Sequence, residues 1–322
     1  MTGASGATDG SAGATDAGGG GTAGSGVVLA SYGRGVLVQT DVAMSATAPA
    51  LRCSLRGRKQ RIVCGDRITW SYRQANDGAS VDSIEPRRNL IERIDLRGRA
   101  EPVAANIDRL AIVVATEPVP DWFLVDRYWA GARLKDIATL LIVNKSDLGV
   151  DGLRPELETY ASLGLPCLQI SSQSGSGIDG LRAALAGSVT LLVGQSGVGK
   201  SSIVNTLAPH AAAQTAELTR DAEGRHTTTT ARRYRLGADA AIIDAPGVRD
   251  FAPPASLVRA AERGFVEIHE HSAACRFNDC RHMEEPGCAV RAAIASGAIA
   301  ARRYESYRRL CRLYEKLTPS SR

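Results

Sequence analysis

A glycine-rich octapeptide that begins at Gly194 matches the phosphate-loop pattern G-x-x-x-x-G-K-[ST] in full. An apolar stretch, residues 189–193, precedes it and a helical pattern follows it, which is the strand–loop–helix context that the motif requires. In such a loop backbone N–H groups surround phosphate oxygens, the lysine reaches the β- and γ-phosphates, and the following hydroxyl coordinates Mg²⁺. We therefore predict that a nucleoside triphosphate, with Mg²⁺ on Ser201, binds to Gly194, Gln195, Ser196, Gly197, Val198, Gly199, Lys200, Ser201 and Ser202.

Two later elements could complete the phosphate side of this site. Asp244 follows the apolar stretch 241–243, where its carboxylate could hold the same Mg²⁺ through water, and the Gly247 amide could point at the γ-phosphate. Four consecutive threonines, Thr227–Thr230, lie between these residues and the phosphate loop. One threonine would complete the Mg²⁺ shell. We choose Thr228, although the sequence does not distinguish it from its neighbours.

A tetrapeptide that reads N-K-x-D follows the apolar stretch 140–143 and consists of Asn144, Lys145, Ser146 and Asp147. The Asp147 carboxylate can accept two hydrogen bonds from a base that carries a ring N–H and an exocyclic amino group, as guanine does and adenine does not. A further strand pattern ends before Ser171 and Ser172, whose backbone could contact guanine O6. Together these residues predict the selection of GTP over ATP.

The order of the motifs is inverted. In an ordinary GTPase the phosphate loop comes first and the guanine motif last, whereas here positions 144 and 171 precede position 194. The same sheet can still form when a chain is cut and rejoined at surface loops. We therefore predict a circularly permuted P-loop GTPase that hydrolyses GTP to GDP and phosphate. The segment after Gly247 then leads directly into the C-terminal region, which could receive the state of the γ-phosphate.

A cysteine and histidine cluster lies near the C-terminus with the spacing C-x₄-C-x-H-x₅-C. Three thiolates and one imidazole form a closed tetrahedral ligand set, which is typical of structural zinc, so we predict one Zn²⁺ on Cys275, Cys280, His282 and Cys288. His269 and His271 are interpreted as ordinary polar residues or as supports for a ligand. The other four cysteines are scattered, and we expect buried reduced thiols rather than a disulfide scaffold.

The region before the nucleotide motifs, residues 27–100, consists of short strand patterns broken by turns, such as 35–38 and 61–70. Five or so strands in this length predict a small β-barrel, with an oligonucleotide-binding (OB) fold as the leading interpretation and an SH3-like barrel as the alternative. A polar stretch in this region is either a solvated loop or a nucleic-acid contact and contains Arg52, Arg56, Arg58, Lys59 and Arg61.

Residues 101–252 alternate between buried strands and helices, which predicts a parallel sheet covered on both faces. Strands are predicted at 110–114, 139–143, 189–193 and 241–243, and helices at 120–135, 154–163 and 178–186. Residues 253–322 are predicted to form a helical zinc-binding domain that ends in a basic segment with Arg302, Arg303, Arg308, Arg309 and Arg312.

The composition, 44% hydrophobic and 23% charged residues, is that of an ordinary soluble globular protein. Residues 1–26 contain ten glycines among small and polar residues, and we predict that they form a disordered tail. This segment lacks the pattern of a secretory signal, and the sequence has no apolar stretch long enough to span a bilayer. We expect a cytoplasmic protein without a membrane partner. The net charge of +5 permits a polyanionic partner but does not require one.

Together the motifs resemble those of the RsgA (YjeQ) family of small-ribosomal-subunit biogenesis GTPases. The resemblance extends over residues 27–322 and includes the stretches 104–108, 226–229 and 244–249 as well as the motifs above. It implies an OB-fold barrel, a permuted GTPase domain and a zinc-binding helical domain. Two departures are that Ala245 stands where the family usually has serine, and that the glycine-rich tail is unusually long.

The resemblance also implies a function. It implies a GTPase that binds the small (30S) ribosomal subunit and its rRNA during late maturation, helps to release assembly factors, and acts slowly until that subunit stimulates it; we expect a monomer. Many GTPases orient the attacking water with a glutamine after the glycine of D-x-x-G, whereas this chain has Val248 there. By resemblance His226 is the candidate catalytic residue, and the alternative is a structural or RNA-facing role.

Two other functions remain open. The chain could be an rRNA-binding module in which the nucleotide controls only affinity. It could also be a permuted GTPase with a non-ribosomal partner, which would leave the barrel and the zinc region unexplained.

Overall fold

The computed structural model describes residues 23–33, 35–41, 50–55, 61–72, 78–94, 99–209, 231–237, 239–245 and 255–317. The predicted residues His226, Thr228 and Gly247 and the first part of the tail, residues 1–22, lie outside these ranges. The strands are β1 (Ala23–Tyr32), β2 (Gly35–Thr40), β3 (Leu51–Ser54), β4 (Arg67–Ser71), β5 (Ala79–Ile84), β6 (Leu90–Ile94), β7 (Ala100–Ala105), β8 (Arg109–Ala115), β9 (Ala138–Asn144), β10 (Cys167–Gln169), β11 (Val189–Gly194), β12 (Arg232–Arg235) and β13 (Ala241–Asp244). The helices are α1 (Trp122–Arg133), α2 (Arg154–Ser162), α3 (Ile178–Leu185), α4 (Lys200–Leu207), α5 (Val266–Ser272), α6 (Ala289–Ala295) and α7 (Ala301–Leu317), with 3₁₀ helices at Ser146–Leu148, Asp151–Leu153 and Ala255–Gly264.

The first five strands form a closed barrel in the order β1-β2-β3-β5-β4, and β4 pairs back with β1. All neighbours are antiparallel except β3 and β5, which pair in parallel. The barrel core includes Val28, Val36, Ile68 and Trp70. This five-stranded closure agrees with the OB-fold prediction.

The start of the barrel corrects the predicted tail. Residues 23–26, which we predicted to be disordered, are the first four residues of β1 and pair with β4. The glycines of this segment allow neighbouring strands to pack closely against its backbone. A Cβ at Gly24 would lie 2.9 Å from the Trp70 ring, and one at Gly26 would lie 2.4 Å from the Gln39 carbonyl oxygen. Composition alone misled the prediction because small residues suit a crowded strand as well as a disordered one.

Two details of the barrel also differ from expectation. The predicted strand 61–70 joins the barrel only from Arg67. Before it, Cys64 forms an isolated bridge with Ala104, and the Asp66 carboxylate accepts a hydrogen bond from the Val63 N–H at 2.8 Å. Arg52, expected in a loop, lies in β3. Arg61 is outside the strands and pairs with Glu101 of β7.

The central sheet has the strand order β10-β9-β8-β11-β13-β12, in which β12 alone is antiparallel to its neighbour. The predicted strands and helices of this region are confirmed. Alternate residues of β8 face opposite sides, with Ile112 packed toward α1 and α2 and Val113 packed toward α3 and α4. The sheet therefore has an apolar core on both faces, as its near-continuous hydrophobic strands predict.

The C-terminal region is helical and packs against α1. Its core contains Phe265, Ile268, Leu310 and Tyr314, and Gly264 touches Ala130 of α1 so closely that a Cβ would lie 2.7 Å from the Ala130 Cβ. Among the residues that the structure describes, no helix combines the length and the apolar character needed to cross a bilayer.

Candidate nucleotide and metal sites

The phosphate loop leaves β11 at Gly194 and enters α4 at Lys200. Two of its positions require glycine. Gly194 has a φ of 143° and a Cβ there would lie 2.2 Å from the Val113 carbonyl oxygen; Gly199 has a φ of 94° and a Cβ there would lie 2.3 Å from Asn144 Nδ2. The loop is thus seated against β8 and against the predicted guanine motif, with the start of α4 beside it.

Charged and hydroxyl groups converge at the start of α4. Lys200 Nζ donates hydrogen bonds to the carbonyl oxygens of Gly194 (2.9 Å) and Gln195 (2.6 Å). Ser201 lies beside the Asp244 carboxylate, which is on the strand next to β11. Burial raises the pKa of the Asp244 carboxyl, while the Lys200 and Arg232 charges and the Ser201 hydrogen bond oppose that rise. A hydroxyl and a carboxylate side by side fit the oxygen ligands that Mg²⁺ prefers.

The guanine motif is joined directly to the phosphate loop by Asn144. This side chain is fully buried, and its Nδ2 donates to the Val198 carbonyl oxygen at 2.9 Å while its Oδ1 accepts from the Ser172 N–H at 3.1 Å. One amide therefore holds three predicted segments together. Asp147 lies in the following 3₁₀ helix and is exposed, so its carboxylate is available to a base edge.

The remaining predicted guanine residues support this arrangement. The Ser146 N–H donates to the Ile170 carbonyl oxygen at 3.0 Å, and the Ser171 hydroxyl accepts from the Ser174 N–H at 3.1 Å, which fixes a tight turn after β10. Lys145 has a left-handed backbone, with a φ of 60°, and its Nζ donates to the Glu117 carbonyl oxygen at 2.8 Å.

A segment that sequence reasoning missed, residues 116–121, connects the two halves of the site. Besides Glu117, it contributes the Val119 carbonyl oxygen and the Asp121 N–H, which bond to the two ends of the Gln195 side-chain amide at 3.2 and 2.9 Å. Pro118 lies against Gly197 of the phosphate loop, at 3.6 Å from a Cβ there. The sequence signal that was available is Asp121, a typical N-cap residue, whose Oδ1 accepts from the Leu124 N–H at 3.2 Å.

The four predicted zinc ligands come together in the C-terminal region. Their ligand atoms all lie within 4.8 Å of one another. His282 Nδ1 is 3.5 Å from the Cys275 sulfur and 3.6 Å from the Cys288 sulfur, and these two sulfurs are 4.0 Å apart. Sulfur atoms in a tetrahedral zinc site are separated by about 3.8 Å at the usual bond length. The donor set and its spacing therefore fit a closed four-coordinate metal.

The His282 ring is held so that Nδ1 faces the sulfurs. Its Nε2 contacts a Glu262 carboxylate oxygen at 3.0 Å, and its carbonyl oxygen accepts from the Tyr304 hydroxyl at 2.5 Å. Burial raises the pKa of the Cys280 thiol to about 12. His269 and His271 lie outside the cluster, and the His271 ring instead contacts the Glu267 carbonyl oxygen at 2.8 Å. The Glu262 carboxylate lies behind the His282 ring. A carboxylate in this position orients a metal-binding imidazole and increases its basicity.

Comparison with known proteins decides the family. The model of the family described as RsgA GTPase matches residues 84–253, more than half of the chain. The small ribosomal subunit biogenesis GTPase RsgA of Azotobacter vinelandii is 41% identical over 292 residues, which cover 89% of this chain and 84% of that protein. The chain belongs to the RsgA GTPase family. RsgA of Chromohalobacter salexigens is similarly close, with 42% identity over 265 residues that cover 80% of this chain and 77% of the relative.

Two solved structures share the fold. YjeQ from Thermotoga maritima superimposes with a TM-score of 0.68 at 26% identity and covers 92% of this chain and 99% of its own. YloQ, described as a circularly permuted GTPase, has the same TM-score at 22% identity, with 92% of this chain and 97% of its own covered. The chain is therefore a circularly permuted GTPase with an OB-like barrel, and its Cys₃His cluster can hold a metal ion.

Proposed function

We propose that this GTPase acts in biogenesis of the small ribosomal subunit: it binds the 30S particle and its rRNA, and GTP hydrolysis gates the release of the protein and of assembly factors. The relatives' names support the ribosomal role. The geometric observation that carries the GTP-dependent part is the Asn144 side chain, which joins the guanine motif to the phosphate loop in the permuted order.

Each group around the loop has a role in binding GTP with Mg²⁺. Lys200 exchanges its carbonyl contacts for the β- and γ-phosphates, because an ammonium gains more from phosphate oxygens than from neutral carbonyls. Ser201 and Asp244 would hold the Mg²⁺, which neutralises charge on the phosphates when bound. Asp147 would accept the two N–H donors of guanine, and the backbone at Ser171 and Ser172 would face O6.

Hydrolysis requires a positioned water as well as bound GTP. Val248 supplies no group that could orient it, so we assign that task to His226, with Thr228 and the Gly247 amide on the γ-phosphate. In this proposal the small subunit stimulates turnover by placing His226 beside the attacking water. Fixing a general base and water in this way is worth about 10²–10⁴-fold in rate.

The proposed contacts with rRNA come from the barrel and the C-terminal region. Arg309 and Arg312 are exposed on α7, and Arg309 also lies over the Phe123 ring at 5.8 Å. Guanidinium groups suit phosphate oxygens, and such contacts position a protein on RNA. A structural Zn²⁺ on the Cys₃His cluster would fix the loop between α5 and α6. The protein acts as a cytoplasmic monomer in this proposal, with a barrel (23–100), a GTPase domain (101–252) and a zinc domain (253–322).

The test is GTP turnover by the full chain alone, with small subunits and with large subunits, with ATP as the control nucleotide. Stimulation by small subunits alone and no turnover of ATP are expected. Equal turnover with both subunits would support the GTPase activity and contradict the role at the small subunit. If nucleotide alters subunit affinity while small subunits leave turnover unchanged, the protein is instead an rRNA-binding module controlled by nucleotide.

A further inference from the structure

A buried ionic network joins helix α1 of the GTPase sheet to the C-terminal helix α7. Asp126 of α1 is fully buried and accepts hydrogen bonds from Arg303 Nη1 at 2.7 Å, from Arg302 Nη1 at 2.8 Å and from the Tyr160 hydroxyl at 2.6 Å. Arg303, also buried, makes a bidentate pair with Glu267 of α5 at 2.7 and 3.0 Å. Two arginines thus meet two carboxylates, so every charge has a partner.

The same contact is enclosed by aromatic rings. The Arg303 guanidinium lies 4.9 Å from the Trp129 ring centre and 4.8 Å from that of Phe265, which places it between α1 and the C-terminal region. Because removing one partner of a buried pair leaves an uncompensated charge, α1 and α7 resist separation. The C-terminal region therefore fixes the position of α1.

The N-terminal end of α1 contacts the phosphate loop. Asp121 caps the helix through its side chain, and its N–H donates to Gln195 Oε1, while Gln195 Nε2 donates to the Val119 carbonyl oxygen. Asp121 and Asp126 are five residues apart, which corresponds to about 7.5 Å along a helix axis. About 1.4 turns of helix thus separate the loop contact from the ionic network.

We propose that the metal-binding C-terminal region positions the phosphate loop through α1, with Gln195 as the positioning residue at the loop and Arg302 and Arg303 as the anchor on α7. A shift of α7 relative to the sheet would move Asp126 and with it the whole of α1. The Asp121 cap at the start of α1 would then move the Gln195 side-chain amide. Nucleotide affinity then depends on the position of α7 relative to α1. The inference rests on the proposed nucleotide site.

A double-mutant cycle on the full chain tests this coupling, with the dissociation constant of a fluorescent GDP as the readout. The variants are Gln195→Ala, Arg302→Gln and the double variant. Arg302 is chosen because its loss leaves the Arg303 pairs to Asp126 and Glu267 in place. Arg308→Gln is the matched control, since Arg308 contacts Glu305 and Tyr304, which both belong to α7 itself.

Each of the two single variants is expected to weaken GDP binding by about fivefold or more, the usual size of coupling between sites. The double variant is expected to bind no more weakly than Gln195→Ala, because the anchor acts only through that contact. Arg308→Gln should bind as the original chain does, and Arg302→Lys, which keeps the charge beside Asp126, should recover most of the affinity.

Two results would overturn the proposal: a folded Arg302→Gln variant with unchanged affinity, or a double variant whose loss equals the product of the single losses, as independent distant sites give. If Arg302→Gln fails to fold, the cycle is run with Tyr160→Phe, which removes the hydroxyl that donates to Asp126, and the same criteria apply. Failure of the nucleotide site itself would be distinguishable, because Lys200→Ala would then bind GDP as tightly as the original chain.

Discussion

Asn144 Nδ2 donates a hydrogen bond to the Val198 carbonyl oxygen at 2.9 Å across 54 positions of sequence. The guanine motif precedes the phosphate loop in the chain, yet this bond holds the two segments in contact. Circular permutation changes the connections and leaves the contact between the two halves of the site intact.

Replacing Asn144 by aspartate keeps the size of the side chain and removes its donor. The Val198 carbonyl then loses its buried partner and faces a carboxylate, so the free energy of unfolding is expected to fall by roughly 1–3 kcal/mol. GTP affinity should fall as well, because Gly199 packs on this amide. Urea unfolding and nucleotide titration measure both effects. Asn205→Asp, on the exposed face of α4, is the control, and an equal loss there would contradict the role of the bond.

Replacing Cys288 by serine removes one thiolate from the cluster. We expect the bound metal to fall from about one Zn²⁺ per chain to a small fraction, and the C-terminal region to unfold at a lower temperature. Because each thiol must lose a proton to bind metal, the affinity of the original chain should fall as the pH is lowered. Elemental analysis and thermal melting are the measurements. Cys311→Ser is the control, since Cys311 is equally buried and outside the cluster; a full metal content in Cys288→Ser would exclude it as a ligand.

Replacing Arg303 by methionine leaves Asp126 and Glu267 with one fewer cation each in a buried site. Breaking a buried pair typically costs about 3–5 kcal/mol, and denaturant unfolding should show a loss of this size. Arg154→Met provides the contrast, because its pair with Asp151 lies on the surface and surface pairs contribute little. Equal stability of the two variants would mean that the network does not hold α1 to α7.

Replacing His226 by alanine is expected to slow GTP turnover in the presence of small subunits by about 10²–10⁴-fold while nucleotide affinity stays unchanged. Single-turnover hydrolysis and titration separate these two effects. His269→Ala, which alters a histidine of α5 outside the metal cluster, serves as the control. Unchanged stimulated turnover in His226→Ala would assign that side chain to the structural or RNA-facing role.

Short sequence patterns predicted those parts of the site whose residues are close together in the sequence. The apolar strands, the phosphate loop and the Cys₃His spacing each occupy a short stretch, and all three lie where the sequence places them. The Asp126–Arg303 pair could not be predicted in this way, because its partners are 177 positions apart and the arginines of α7 were predicted only as a basic C-terminal segment. Residues 116–121 carry no motif, since most of their contacts use backbone groups that any sequence provides.

The shared strand β1 has a consequence for how the chain can be divided. It pairs with β2 and β4 inside the barrel and also with β12, where Ala30 lies opposite Arg232. A protein shortened to begin near residue 101 would thus expose the free N–H and C=O groups of β12 as an open sheet edge. Open edges recruit other strands, so such a fragment is expected to self-associate. The boundary between the barrel and the GTPase sheet along the chain does not coincide with a gap in hydrogen bonding.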